Sequence, residues 1–214
     1  MTGLPMGVAF ALVVLSGSPV APERGASPAD TLPALERGYE LLRGDQPAEA
    51  RGPLMEAVPT LPSARGTTVL RLVSLLDRVE EPADRLAAQA FLAIEDGEPE
   101  EALRILEEGL EEAREEDRAP LLALAADAAD RFDRERSVQL RTRLFEQHPD
   151  ALETVEAAIA LARYHSATLE GAEEALAILE AVIVARPNHP LAPEARRHFE
   201  RLRERVRREG GFPR

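Results

Sequence analysis

The sequence predicts an all-α protein, and three observations carry that expectation. After Asp30, apolar residues recur at helical spacing through successive segments of ordinary helix length. Ala, Leu, Glu and Arg, all strong helix formers, dominate the composition. Runs of β-branched residues such as Val13-Val14 and Thr67-Thr68-Val69 are rare, so no segment reads as a strand. The chain of 214 residues is 44% hydrophobic but only 4% aromatic, with no Trp, so its core has to be built from Leu, Ala, Val and Ile.

Short Gly, Pro or Asp signals cut the chain into expected helices at 32–43, 47–59, 64–79, 83–95, 99–113, 119–131, 134–147, 151–165, 171–185 and 191–209. The clearest is "GEPEEALRILEEGL", Gly97–Leu110. Its Ala102, Leu103, Ile105, Leu106 and Leu110 form one helical face. Gly97 ends the preceding helix, and Pro99 sits in the first turn of the next, where its missing N–H costs little. The pattern returns. Measured from Ala50, Ala102 and Ala175, a large apolar residue follows four positions later (Leu54, Leu106, Leu179). A small or apolar residue follows at seven (Ala57, Gly109, Val182). A weaker copy, "FDRERSVQLRTRLFEQHP", runs from Phe132 to Pro149, and Pro62 and Pro187 stand near the ends of two of the second helices.

A helix, a turn at Gly, a second helix with small residues on one side and a closing Pro together resemble the tetratricopeptide (TPR) repeat family. Small residues let antiparallel helices approach, and Pro stops the second helix so that the chain turns into the next unit. The resemblance covers about residues 32–209. It implies a right-handed helical-hairpin solenoid of about four degenerate repeats, with an extra helix and a C-terminal capping helix. The repeats fall at 32–62 and 82–189, the unpaired or degenerate helix at 64–80, the cap at 190–209 and a disordered tail at 210–214. The alternative is a non-repetitive helical bundle. The family's Trp is absent and the copies are irregularly spaced. The last segment, "PNHPLAPEARRHFERLRERVRR", is similar to bacterial cell-envelope TPR proteins of the outer-membrane assembly and Tol-Pal coordinating types. Lipid anchoring does not carry over, because the chain has no Cys.

The N-terminus reads as an address. "GVAFALVVL", Gly7–Leu15, has the length of a signal-peptide core and is shorter than the roughly 20 apolar residues of a spanning helix. Residues 1–21 are expected to be a signal peptide, cleaved somewhere within 18–29, and 22–31 a linker. The implied location is periplasmic or otherwise exported. No Lys or Arg precedes the apolar run, so the alternative is an inner-membrane anchor left uncleaved.

Charge and motif content bound the function. A formal charge of −13 argues against a nucleic-acid binder. The sequence has no His-Glu-x-x-His, phosphate-cradling Gly loop or Gly-x-Ser-x-Gly elbow, and no two of the four His are spaced for a shared metal. Carboxylates recur at helical spacing with Arg, as Glu100 does with Arg104, which is the pattern of solvated helix faces. No enzymatic activity, cofactor or metal is expected.

The expected role is a scaffold binding a protein or peptide partner, with self-association into an envelope assembly as the alternative. Every basic residue is Arg and the only Asn, Asn188, lies in a loop, so the Lys/Asn carboxylate clamp of some TPR domains is not expected. The resemblance implies that first helices line the binding groove. Counting back from Gly97 gives Ala87, Phe91 and Ile94; the same count points to Asp127 and Asp130, and then to Tyr164 or His165. An aromatic beside carboxylates would suit a peptide carrying apolar and basic side chains. Phe91 reads equally as ordinary core. From Glu95 to Asp117 the chain is acidic, opposed only by Arg104 and Arg114, whereas Arg196–Arg208 is Arg-rich. The acidic stretch reads as solvated surface. The Arg-rich helix either complements its own C-terminal dipole or makes peripheral contact with an anionic surface. N-terminal sequencing of the protein from its native host is expected to begin between Pro19 and Asp30; soluble cytoplasmic protein starting at Met1 or Thr2 would overturn the export reading.

Overall fold

The computed structural model describes residues 28–168 and 170–209; the expected signal peptide, most of the linker and the 210–214 tail lie outside them. The described residues are all helical, without a strand. The helices are α1 (Pro28–Arg43), α2 (Pro47–Ala57, continued by a 3-10 turn, Val58–Thr60), α3 (Ser63–Leu76), α4 (Ala83–Glu95), α5 (Pro99–Glu112), α6 (Glu115–Ala129), α7 (Arg134–Gln147), α8 (Glu153–His165), α9 (Glu170–Ala185) and α10 (Ala192–Glu209).

Two starts depart from the expected ones by four residues, the others by two or fewer. α1 begins at Pro28, inside the expected linker. α6 begins at Glu115 because Glu115, Glu116 and Asp117 supply a first turn favoured by the helix dipole, leaving Pro120 inside the helix. Asp117 is buried and accepts from Arg114 Nε at 2.7 Å.

The helices pack as consecutive pairs, α1 on α2, α4 on α5, α6 on α7 and α8 on α9, consistent with a helical-hairpin solenoid. The first members also touch one another, α1 to α4, α4 to α6 and α6 to α8, so they form one row. α10 closes the end against α9 and α8. Its Arg196 donates to the carbonyl of Pro187 at 3.0 Å, and Arg205 donates to the carbonyl of Ser166 at 2.5 Å, which fastens the helix to the array.

The turns follow local chemistry. Gly97 has φ +84°, the left-handed conformation that costs Gly least. There Glu98 N–H donates to the Ala93 carbonyl at 2.8 Å and Gly97 N–H to that of Ile94 at 3.2 Å, a Schellman closure. The α1–α2 turn has the same bonds, but its left-handed residue is Asp45 (φ 60°), one position after the Gly44 that marks the turn in sequence.

Within each pair the small residues are where the helices meet. Ala50, Leu54 and Ala57, Ala102 and Leu106, and Ala175 and Leu179 are all fully buried. A Cβ at Gly38 of α1 would stand 2.6 Å from Leu54 Cδ2, and one at Gly109 of α5 would collide with Leu86 of α4. The weaker copy keeps the small position with Ser137, whose hydroxyl donates to the Ala126 carbonyl at 2.8 Å. Four residues later, however, it carries Arg141 where the other copies carry Leu.

α3 stands outside the row: α1 reaches α4 directly, and α3 packs on α2, the 3-10 turn and α4. Its Val69, Leu72, Val73 and Leu76 are buried. Full burial of such side chains contributes roughly 1.5–3 kcal/mol each, so α3 is an integral wall of the fold. The expected Glu100–Arg104 pair is replaced by a clamp in which Arg104 bridges Glu101 and Glu108. That clamp leaves the face solvated, as expected of helical charge spacing.

Ala102 offers a direct test of the repeat packing. Ala102→Leu is expected to destabilise the fold by about 1–3 kcal/mol through overpacking. Thermal unfolding should show a lowered Tm; an unchanged Tm would refute the close approach at this site.

Candidate partner-binding trough

Two adjoining cavities lie along the first-helix row. One, of about 450 Å³, is lined chiefly by α6, α7 and α8, with Arg71 from α3 and Glu194 from α10. The other, of about 270 Å³, lies between α3 and the row of α4, α6 and α8, and is lined by Leu72, Leu75, Phe91, Ile94 and Leu124 among others. Arg71, Asp127 and Glu156 line both, so the two form one trough with an apolar and a charged end.

The trough exists because α3 leans across the row. Arg71 donates to Glu156 Oε1 at 2.6 Å, and Arg78 pairs with Glu153. The two carboxylates stand one turn apart on α8; Arg71 is on α3 and Arg78 lies in the turn just past its end. The Arg71–Glu156 side chains are 60% and 56% exposed, so that pair is worth about 0–1 kcal/mol and orients α3 more than it holds it.

The structure brings five of the six candidate residues to the trough. Phe91 and Ile94 are only 4% and 8% exposed and lie beneath α3. Phe91 packs edge-on against Tyr39, ring centroids 5.9 Å apart, while Ala87 is fully buried. Tyr39 in turn donates to Glu95 at 2.9 Å; burial raises its pKa, with Arg65 opposing and Glu95 adding to the rise. The core reading of Phe91 therefore describes its surroundings. Asp127 and Asp130 line the charged end, and Tyr164 lies opposite them. His165 turns away, placing Nδ1 3.1 Å from Glu174 of α9.

Charge pairing defines what the charged end can accept. Arg141, only 14% exposed, reaches Asp127 at 3.1 Å and Asp130 at 3.2 Å. Glu156 is matched by Arg71, and Glu194 by Arg163 at 2.6 Å. Arg134 lies over the Tyr164 ring, 5.2 Å from its centroid, and meets no carboxylate among the described residues. Desolvation raises the pKa of Asp127, with Arg141 opposing it. The side chain remains 53% exposed, so solvent screening limits that effect. A basic ligand group would have to displace Arg141, whereas an acidic one finds Arg134 open.

Sequence reasoning missed Arg141; the signal that could have found it is that it stands in the weaker copy where the other copies carry Leu. Arg71 and Arg78 carried no such signal, since they meet residues 85 and 75 positions away. No protein-family model, curated protein or solved structure matches the chain.

Phe91→Ala is expected to cost about 3–5 kcal/mol, as truncation of a core Phe does. Chemical denaturation measures this directly. A loss below about 1 kcal/mol would return Phe91 to the role of a free contact residue.

Proposed function

We propose that the protein is a TPR-like interaction scaffold, a right-handed solenoid that binds a protein or peptide partner in the trough. The observation that carries this reading is the continuity of an apolar and a charged cavity along one row of helices. Such a site suits an extended segment better than a compact metabolite, since an apolar side chain can enter one end while a polar group engages the other. The charge pairing favours a segment with an acidic group beside an apolar one, with Arg134 receiving the carboxylate.

The same reading places the scaffold in the cell envelope, supported by the N-terminal address and the PNHPLAPEA-type segment. An uncleaved N-terminal anchor is the alternative. Among the described residues no helix is long and apolar enough to cross a membrane. Exposed Arg197, Arg201 and Arg208, on one face of α10, support peripheral contact with an anionic surface.

The trough can be closed without touching the core. Ala160 lines the charged end and is partly exposed, so Ala160→Arg would fill the cavity with a side chain that the helix tolerates. Selection from a random peptide display library should enrich acidic–apolar segments on the wild-type protein and lose them on Ala160→Arg at unchanged Tm. Equal enrichment on both proteins would remove the trough as the site.

A further inference from the structure

One side of α10 carries a cationic cluster whose hydrogen-bonding capacity the helix contacts only partly use. His198, Arg201 and Arg205 are spaced by three and four residues, so they lie along one face of the helix. With the buried Leu202, and with Ser166 at the end of α8, they line a cavity of about 180 Å³. The cavity shares no lining residue with either end of the trough.

Arg205 Nη2 donates to the Ser166 carbonyl at 2.5 Å, which caps α8 and fixes the guanidinium beside the cavity. Its Nε is buried without a hydrogen-bond partner, since Glu209 Oε2 stands 4.0 Å away. His198 Nδ1 is likewise buried and unpartnered. Arg201 is exposed and pairs with no carboxylate among the described residues. Burial first, then the charges of Arg201 and Arg163, lower the His198 pKa; Glu194 opposes them and Arg205 adds to the lowering. Glu194 is already matched to Arg163 at 2.6 Å, so the cluster keeps an excess of positive charge.

We propose that this cavity binds a phosphate group, held by Arg201, Arg205 and the His198 imidazole. Two features select that chemistry. Buried polar groups are nearly always hydrogen-bonded, and two unpartnered nitrogens beside one cavity suit an acceptor with several oxygens. A phosphate offers at least three strong acceptor oxygens and about two negative charges, which answers two guanidinium groups and an imidazole better than a planar carboxylate does. The source is either a soluble phosphate compound or a phospholipid headgroup.

Titration of the full chain with inorganic phosphate, followed by NMR of the imidazole signals, tests the proposal. The chain has four His, and His198→Gln assigns the relevant one. Phosphate should shift the His198 signals saturably, where chloride at the same ionic strength does not. The bound anion favours the charged imidazole, so the His198 pKa should rise. Arg201→Gln should weaken binding about tenfold or more at unchanged Tm, and Arg201→Lys should recover part of the loss. Arg203→Gln, which removes the same charge from the opposite face of α10, should leave binding unchanged. Sedimentation with phosphatidylcholine vesicles containing phosphatidic acid separates the sources. Vesicle binding lost on Arg201→Gln but kept on Arg203→Gln makes the group a lipid headgroup; phosphate binding without vesicle binding makes it soluble. A His198 response no greater than with chloride, or equal losses for Arg201→Gln and Arg203→Gln, would overturn the site.

Discussion

Close approach of antiparallel helices at small residues is the constraint on which the rest of this structure depends. A Leu on one helix fits only where the facing helix offers little or no side chain, as Gly38 does to Leu54. Three hairpins fully bury a small residue and the Leu four positions later, and the α6–α7 hairpin keeps the small position as the buried Ser137. With almost no aromatic residues to fill space, tight spacing is the way this chain reaches native packing density. Spacing within the pairs then sets spacing between them, and so aligns the first helices into the row that carries the trough.

α3 changes what that row can present. In an uninterrupted array the α4 surface would be open. Here α3 roofs Phe91 and Ile94 with its own leucines and shifts the accessible part of the trough toward α6, α7 and α8. Apolar burial anchors the helix, and two arginines aim it. Exposed ion pairs are weak, but Arg71–Glu156 from α3 itself and Arg78–Glu153 from the turn that follows it together favour one angle of crossing over its neighbours.

Arg141 is the second departure with consequences. Replacing an apolar packing residue by Arg inside a hairpin costs desolvation unless the guanidinium finds carboxylates. It finds Asp127 and Asp130 on the facing helix and the Ser137 hydroxyl on its own. That pairing neutralises the acids which would otherwise give the trough a negative end, and it leaves Arg134, stacked on Tyr164, as the charge that faces outward.

The sequence by itself determined the helices, their order and most of their ends. These depend on local periodicity, on Gly and Pro at turns and on first-turn carboxylates, all of which act within a few residues. α4 and α7 coincide with their expected bounds, and the small-residue positions Ala50, Ala102 and Ala175 are buried as their spacing requires. The positions of Phe91, Asp127 and Tyr164 along the first-helix row were also legible, because a helical face follows from spacing. Only the tertiary structure decided which of them remain accessible. Burial of Phe91 under α3, and the pairing of Asp127 and Asp130 with Arg141, depend on where separate helices meet. The Arg71–Glu156 and Arg78–Glu153 contacts likewise join residues 85 and 75 positions apart. No local pattern encodes the angle at which one helix crosses another, since that angle is a balance of side-chain packing summed over the whole interface.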